Sequence, residues 1–472
     1  MLFNSLEFAV FIALFACVYY FLKHKQQNAF LLVASYIFYG WWDWRFLFLI
    51  AASTIVDYFC ALYIEKQNKL RIKRWILCVS LFVNLGALCF FKYFDFFDES
   101  LVKLLHVFGM QADYVTLNII LPVGISFYTF QTLSYTIDVY RGQLKPTRNF
   151  MNFAVYVSFF PQLVAGPIER AAHLLPQVEK RRTISGRKLQ NGLWLIIVGF
   201  FKKLVIADQC AAVVNYGFSG GDGVFEYAHP MVYLYLFAFQ IYADFSGYSD
   251  IARGLSKMMG FDLMVNFKKP YLVKTIPSLW NHWHISLSSW LRDYLYIPMG
   301  GSRKGPIRRN MNLMNTMLLG GLWHGAGFAY ILWGGYHGML LVLSRMSEQL
   351  NKVVDTSRGG MSWVKIGLIF HLVCLGWLFF RVGAMPKDVK QFDYVVHYLS
   401  KMLYFNSEAV LPWVFSVAFM AICTLGLQHF WKQNEKFAMW PIWQKVVFPI
   451  LFIAAILALG NYEGGEFIYF QF

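Results

Sequence analysis

Charge is scarce in this 472-residue sequence, and acidic charge is scarcest: 26 Asp and Glu stand against 42 Lys and Arg, and the four types together make up 14% of the chain. With 58% of residues hydrophobic, a water-soluble fold would leave large apolar patches uncovered. A soluble globular protein is excluded on that ground, and lipid must solvate most of the chain. No Cys-x-x-Cys spacing occurs among the seven cysteines (17, 60, 78, 89, 210, 374 and 423). They fall mostly in apolar segments and read as small buried hydrophobes, not as a disulfide framework or a metal site. Also absent are a GxSxG elbow, a P-loop and a dinucleotide fingerprint. Without tandem repeats, low-complexity linkers or a soluble segment, residues 1–472 read as a single membrane-embedded domain.

What charge there is gives a net +16, clustered between apolar runs. That pattern fits loops held on the cytoplasmic side of anionic lipid and excludes a nucleic-acid stripe. Leu2 to Leu22 has no positive n-region and reads as an uncleaved first span. Further spans are expected near 29–41, 46–64, 75–94, 117–139, 191–215, 230–250, 363–380, 409–431 and 445–460, with an amphipathic piece near 388–405. Cytoplasmic loops are expected at Lys66 to Arg74 and Arg170 to Lys188, and Ser219 to Gly223 is expected to be an external turn. Trp41, Trp42 and Trp44 resemble an interface belt. Phe150 to Pro167 holds two prolines and a glycine, which favours a re-entrant element buried in protein. The fold class is therefore all-α and polytopic, with about ten to twelve transmembrane helices plus re-entrant and amphipathic helices.

The longest uncharged stretch runs from Asn310 to Ser344, between Arg309 and Arg345, and is either one long helix or two elements broken at its glycines. Near its middle sits Leu322-Trp323-His324-Gly325, with His337 beyond. A histidine at membrane depth is costly and marks a functional site unless it is a packing residue; the packing reading is favoured for His337 and the functional one for His324. Upstream, the interval Arg253 to Arg309 interleaves ten Lys and Arg with Trp280, Trp283, Trp290, Tyr294 and Tyr296, and holds His282 and His284. Repeated His boxes and repeated Glu-x-x-His pairs are missing, so no metal is expected. A histidine titrates near neutrality and can take the proton of a hydroxyl that attacks a thioester. Arg303, Lys304, Arg308 and Arg309 are expected to face the phosphates of an acyl donor such as coenzyme A, or else simply to obey membrane topology.

Trp280-Asn-His-Trp-His-Ile-Ser-Leu-Ser-Ser-Trp-Leu-Arg-Asp-Tyr-Leu-Tyr-Ile-Pro-Met-Gly-Gly-Ser-Arg-Lys-Gly305, together with Leu318-Leu-Gly-Gly-Leu-Trp-His-Gly-Ala-Gly327, resembles the signature of the membrane-bound O-acyltransferase family. Phe160 to Ile168 and Tyr242 to Asp250 are similar to the bacterial branch that acetylates alginate or peptidoglycan. One departure is His282, where the family places an arginine. The resemblance implies a ring of tilted helices around a thinned centre, His324 as the catalytic histidine and His284 as the second functional one. It implies acetyl-CoA as a donor substrate used from the cytoplasm, with no permanently bound cofactor. The expected partners are membrane lipid, an acetyltransferase outside the membrane of the AlgJ, AlgX or PatB kind, and an envelope glycan as acceptor. The expected location is the bacterial cytoplasmic (inner) membrane. D-alanyl transfer to teichoic acid is the related alternative, and a transporter or channel is the alternative of another class. The terminal Phe467-Ile-Tyr-Phe-Gln-Phe472 is either an interface anchor or, by resemblance to the tail of a small partner peptide in D-alanylation systems, a relay in which Tyr469 carries the acyl group.

Overall fold

A computed structural model of the chain describes all residues except 111–112, 114, 116, 118, 220–223, 352–358, 386–389, 404–409, 463–466 and 469–472. The described residues are helical with no strand, as expected. They divide into two compact units, Met1–Ser185 with Ser256–Met264, and Gly186–Leu255 with Val265–Phe472.

The first unit contains α1 (Leu6–Tyr19), α2 (His24–Asp43), α3 (Leu47–Lys66), α4 (Leu70–Leu88), α5 (Phe94–Val107), α6 (Ile125–Tyr140), α7 (Phe150–Ser158) and α8 (Ala171–Glu179). Polar residues spaced four apart knit three of these together, because i and i+4 share a helix face. Asp57 on α3 is fully buried; Ser80 and Asn84 on α4 and Thr136 on α6 donate to its carboxylate, the last two at 3.0 and 3.2 Å. Ser53, one turn earlier, donates to Asn84 Oδ1 at 2.6 Å. In hydrocarbon such bonds replace those water would make, which makes them the glue of the bundle. The segment Phe150 to Leu163 is broken at Phe159 and buried from Asn152 onward, in keeping with an element enclosed by protein.

The two basic runs expected to be loops are partly helical. Arg71, Lys73 and Arg74 lie in the first turns of α4, leaving only 67–69 as the connection, and the basic run after Arg170 contains α8. Lysine and arginine are good helix formers, so a charged stretch need not be a loop. The cysteines form no disulfide among the described residues, and Cys60, Cys210 and Cys374 are buried, but Cys17, Cys78 and Cys89 are exposed on the helix surfaces.

The second unit contains α9 (Gly186–Phe200), α10 (Asp208–Gly217), α11 (Pro230–Met258, whose last turn belongs to the first unit), α12 (Ile276–Trp280), α13 (Ile285–Leu291), α14 (Gly305–His324), α15 (Phe328–Asn351), α16 (Gly359–Gly383), α17 (Gln391–Met402), α18 (Val414–His429) and α19 (Ile442–Leu459). Between α9 and α10 the helix widens over Phe201–Ala207, and this segment presents two buried lysines. Lys202 pairs with Asp250 at 2.6 Å; Lys203 pairs with Asp208 at 2.8 Å and Asp244 at 2.9 Å. Each ammonium is thus compensated, as burial requires.

Four stretches are long and apolar enough to cross a bilayer: His24–Lys66, Leu70–Val107, Ser362–Gly383 and Ile442–Leu459. By those criteria alone the described residues show fewer spans than the ten to twelve expected. The difference has a physical reason, since helices such as α11 and α14 carry polar residues on buried faces and α14 stops at a break.

Candidate active site

The uncharged stretch is two helices, not one. α14 ends at His324, the chain turns through Gly325 to Gly327, and α15 begins at Phe328. Glycine decides this geometry. A Cβ on Gly325 would lie 2.1 Å from Tyr330 Cε2, and one on Gly321 would lie 2.2 Å from the Tyr330 carbonyl oxygen. Likewise a Cβ on Gly334 would meet the Met317 carbonyl at 2.2 Å. The two helices therefore pack backbone to backbone, and His324 is fixed at the apex of the hairpin.

His324 is 4% exposed. Its ring stands edge-on to Trp333 at 5.0 Å and Phe380 at 5.3 Å, between α15 and α16. The second histidine of the motif, His284, is fully buried with its ring 6.4 Å from that of His324, centroid to centroid. Phe245 of α11 and Trp323 also contact His284, at 4.7 and 6.0 Å. The two imidazoles are thus buried side by side among aromatic rings.

His284 adopts φ 40°, ψ 55°, the sole positive φ of a non-glycine among the described residues. Left-handed backbone in a residue with a Cβ is strained, and such strain gathers at functional sites. Neighbours impose it here. Ile285 N donates to the Asn266 carbonyl at 2.9 Å, and Ser286 Oγ to Asn266 Oδ1 at 2.6 Å. Asn266 in turn donates to Ser249 Oγ at 3.2 Å, tying the bend to α11. His282 points elsewhere, its Nδ1 2.8 Å from the Ser278 carbonyl.

Of the four basic residues expected at a donor site, Arg303, Lys304 and Arg308 are exposed, and Arg309 is half-buried beside Asn310. None of them lines the cavity of about 250 Å³ that opens nearby. That cavity is bounded by Trp280, Ser288, Ser289, Arg292, Met317 and Arg345, among others. Arg292 and Arg345 are the basic residues on its wall, and neither is among the four expected. Arg345 had a visible signal, being the first charge after the long uncharged stretch. No group of His, Cys, Asp and Glu suited to a metal occurs among the described residues. Tyr469 lies outside the described residues, but the two residues before it are placed. Ile468 N donates to Asp244 Oδ2 at 2.7 Å, and Phe467 packs on Tyr248 at 5.1 Å with the Lys203 ammonium 4.5 Å from its ring. Both are buried in the second unit, so this part of the tail is no interface anchor.

The family model of the membrane-bound O-acyltransferases matches residues 17–359. This chain belongs to that family. The acyltransferase is a multi-pass membrane protein, and membership decides for an enzyme over a transporter or channel. It is similar to a probable alginate O-acetylase of Pseudomonas putida, 38% identical over 100% of both chains. It is also similar to a peptidoglycan O-acetyltransferase of Helicobacter pylori, 34% identical over 76% of this chain and 72% of the relative. A teichoic acid D-alanyltransferase of Bacillus subtilis is 30% identical over 56% of this chain and 69% of the relative.

Proposed function

We propose that this acyltransferase takes acetyl from acetyl-CoA on the cytoplasmic face of the inner membrane and passes it across for O-acetylation of an envelope glycan, an alginate-like polysaccharide or peptidoglycan. The observation that carries the reading is the buried pair His284 and His324 at the apex of a glycine-packed hairpin. His324 accepts the proton of an attacking hydroxyl, the hydroxyl oxygen bonds to the thioester carbon, and the carbon–sulfur bond breaks to release the thiolate of coenzyme A. The bend at His284 holds the second imidazole beside it. Alginate and peptidoglycan relatives aligned over more of the chain than the D-alanyltransferase favour acetyl over D-alanyl.

Donor and acceptor stand on opposite sides of the membrane, so an intermediate carrier has a physical rationale. The Tyr469 hydroxyl is the carrier in this reading: its oxygen takes the acetyl, His324 takes its proton, and the ester then passes the acetyl to an AlgJ/AlgX- or PatB-like acetyltransferase outside. The two residues before Tyr469, Phe467 and Ile468, are buried in the protein, which supports this reading. Arg303, Lys304, Arg308 and Arg309 supply positive potential around the donor's entry. The test is purified protein with labelled acetyl-CoA. Wild-type protein should consume the donor, and His324→Ala should fold and insert normally yet lose about 100-fold or more in rate. Near wild-type turnover by that variant would reject the assignment.

A further inference from the structure

His337 is 1% exposed, and neither ring nitrogen has a hydrogen-bond partner among the described residues. The same holds for the indole N–H groups of Trp280, Trp333 and Trp377. These orphans are neighbours. Trp280 and Trp333 stand edge-on to His337 at 5.3 and 5.0 Å, and Trp377 stacks on Trp333 at 5.9 Å. Each buried polar atom left unpaired is costly, and five in one place are hard to reconcile with packing alone. Gly376 deepens the point: a Cβ there would lie 2.8 Å from His337 Nε2, so α16 is pared back against the ring.

The position of His337 on its helix supplies the second observation. Trp333, His337, Leu341 and Arg345 are spaced four apart and so form one stripe along α15. Its N-terminal end, Trp333, touches His324. Its other end, Leu341 and Arg345, lines the cavity, and Trp280 belongs both to the cavity wall and to the contacts of His337. Arg345 is half-buried, with Nε buried and unpartnered among the described residues. Twelve residues of helix separate the ends, about 18 Å at 1.5 Å each. The cavity is too small for a whole nucleotide-bearing donor, but it has room for a phosphate-bearing segment beside the Arg345 guanidinium and that of Arg292, which pairs with Asp293 at 2.7 Å.

We propose that this stripe is a measuring track for the donor, on which His337 hydrogen-bonds an amide of its flexible arm between a phosphate at Arg345 and the thioester at His324. The proposal rests on the acetyl-CoA reading above. The unpaired atoms have the chemistry that such an arm needs. Indole N–H groups meet amide or thioester carbonyls, and a neutral imidazole, with one donor and one acceptor, meets either side of an amide. His337 is thereby a positioning residue and takes no proton from the nucleophile.

The experiment replaces the ring nitrogens by carbon. His337→Phe fills the site with an apolar ring, and His337→Leu repeats the comparison at smaller volume should the larger ring not fold. A packing role predicts unchanged or higher thermal stability and unchanged kinetics. The track predicts a donor KM raised about three- to tenfold, the worth of one hydrogen bond, at nearly unchanged kcat. His337→Gln, which keeps a donor and an acceptor, should recover part of the loss. Acetyl-CoA binding is measured in parallel by calorimetry on the detergent-solubilised protein. If wild type binds donor and the folded apolar variants bind and turn over equally well, the track is wrong while the donor reading stands. If wild type neither binds nor consumes acetyl-CoA, the donor reading fails and the track falls with it.

Discussion

The strained bend at His284 permits a test that separates backbone from chemistry. His284→Ala and His284→Gly both delete the imidazole, so both lose its contacts with Phe245, Trp323 and His324. They differ by one Cβ at φ 40°. Left-handed backbone costs a residue with a Cβ about 1–2 kcal/mol and costs glycine almost nothing. The greater unfolded-state entropy of glycine returns about 0.4–1 kcal/mol of that difference. The glycine variant should therefore be more stable by about 1 kcal/mol, near fivefold in the unfolding equilibrium. Unfolding by SDS in mixed micelles, followed by intrinsic fluorescence, measures it. Acetyl transfer should fall equally in both, because neither restores the ring. An alanine variant as stable as the glycine variant would mean that the bend relaxes freely and that Asn266 does not impose it.

Gly325→Ala places a Cβ against Tyr330, and overpacking of that kind costs about 1–3 kcal/mol; it should lower both Tm and turnover, with Tyr330→Leu restoring part of each. Tyr469→Phe deletes one hydroxyl and should abolish glycan acetylation while leaving the fold intact; full acetylation would remove the covalent carrier from the scheme. Charge reversal at Arg345, on the cavity, should raise donor KM more than reversal at Arg303, Lys304 or Arg308, with kcat little changed. Equal effects at all four positions would point to a diffuse surface potential and not to a contact.

The helical class was legible because it follows from composition and from the length of the apolar runs. The break at Gly325 to Gly327 was open on sequence alone, since whether a glycine interrupts a helix depends on what presses against it, here Tyr330. The bend at His284 left no trace, because Asn266, which enforces it, is remote in sequence and histidine has no strong backbone preference of its own. The basic residues on the cavity wall were not visible for a related reason. Charge density singled out 303–309, whereas the cavity selects Arg292 and Arg345 by helix phase. Lys202 and Lys203 were absorbed into an apolar span, because their acidic partners on α10 and α11 become neighbours only after folding.

Asp57 bears on how the protein is made. When α3 leaves the ribosome, its carboxylate is at membrane depth with no donor in reach, a burden of about 2.5–3.5 kcal/mol on insertion scales. Ser80 and Asn84 arrive with the next helix, but Thr136 belongs to α6 and is synthesised much later. The carboxylate of α3 is therefore incompletely compensated until residues near 140 have been translated. Assembly order is thus written into one acidic side chain: fragments ending before α6 should insert less stably than the same fragments carrying Asp57→Asn.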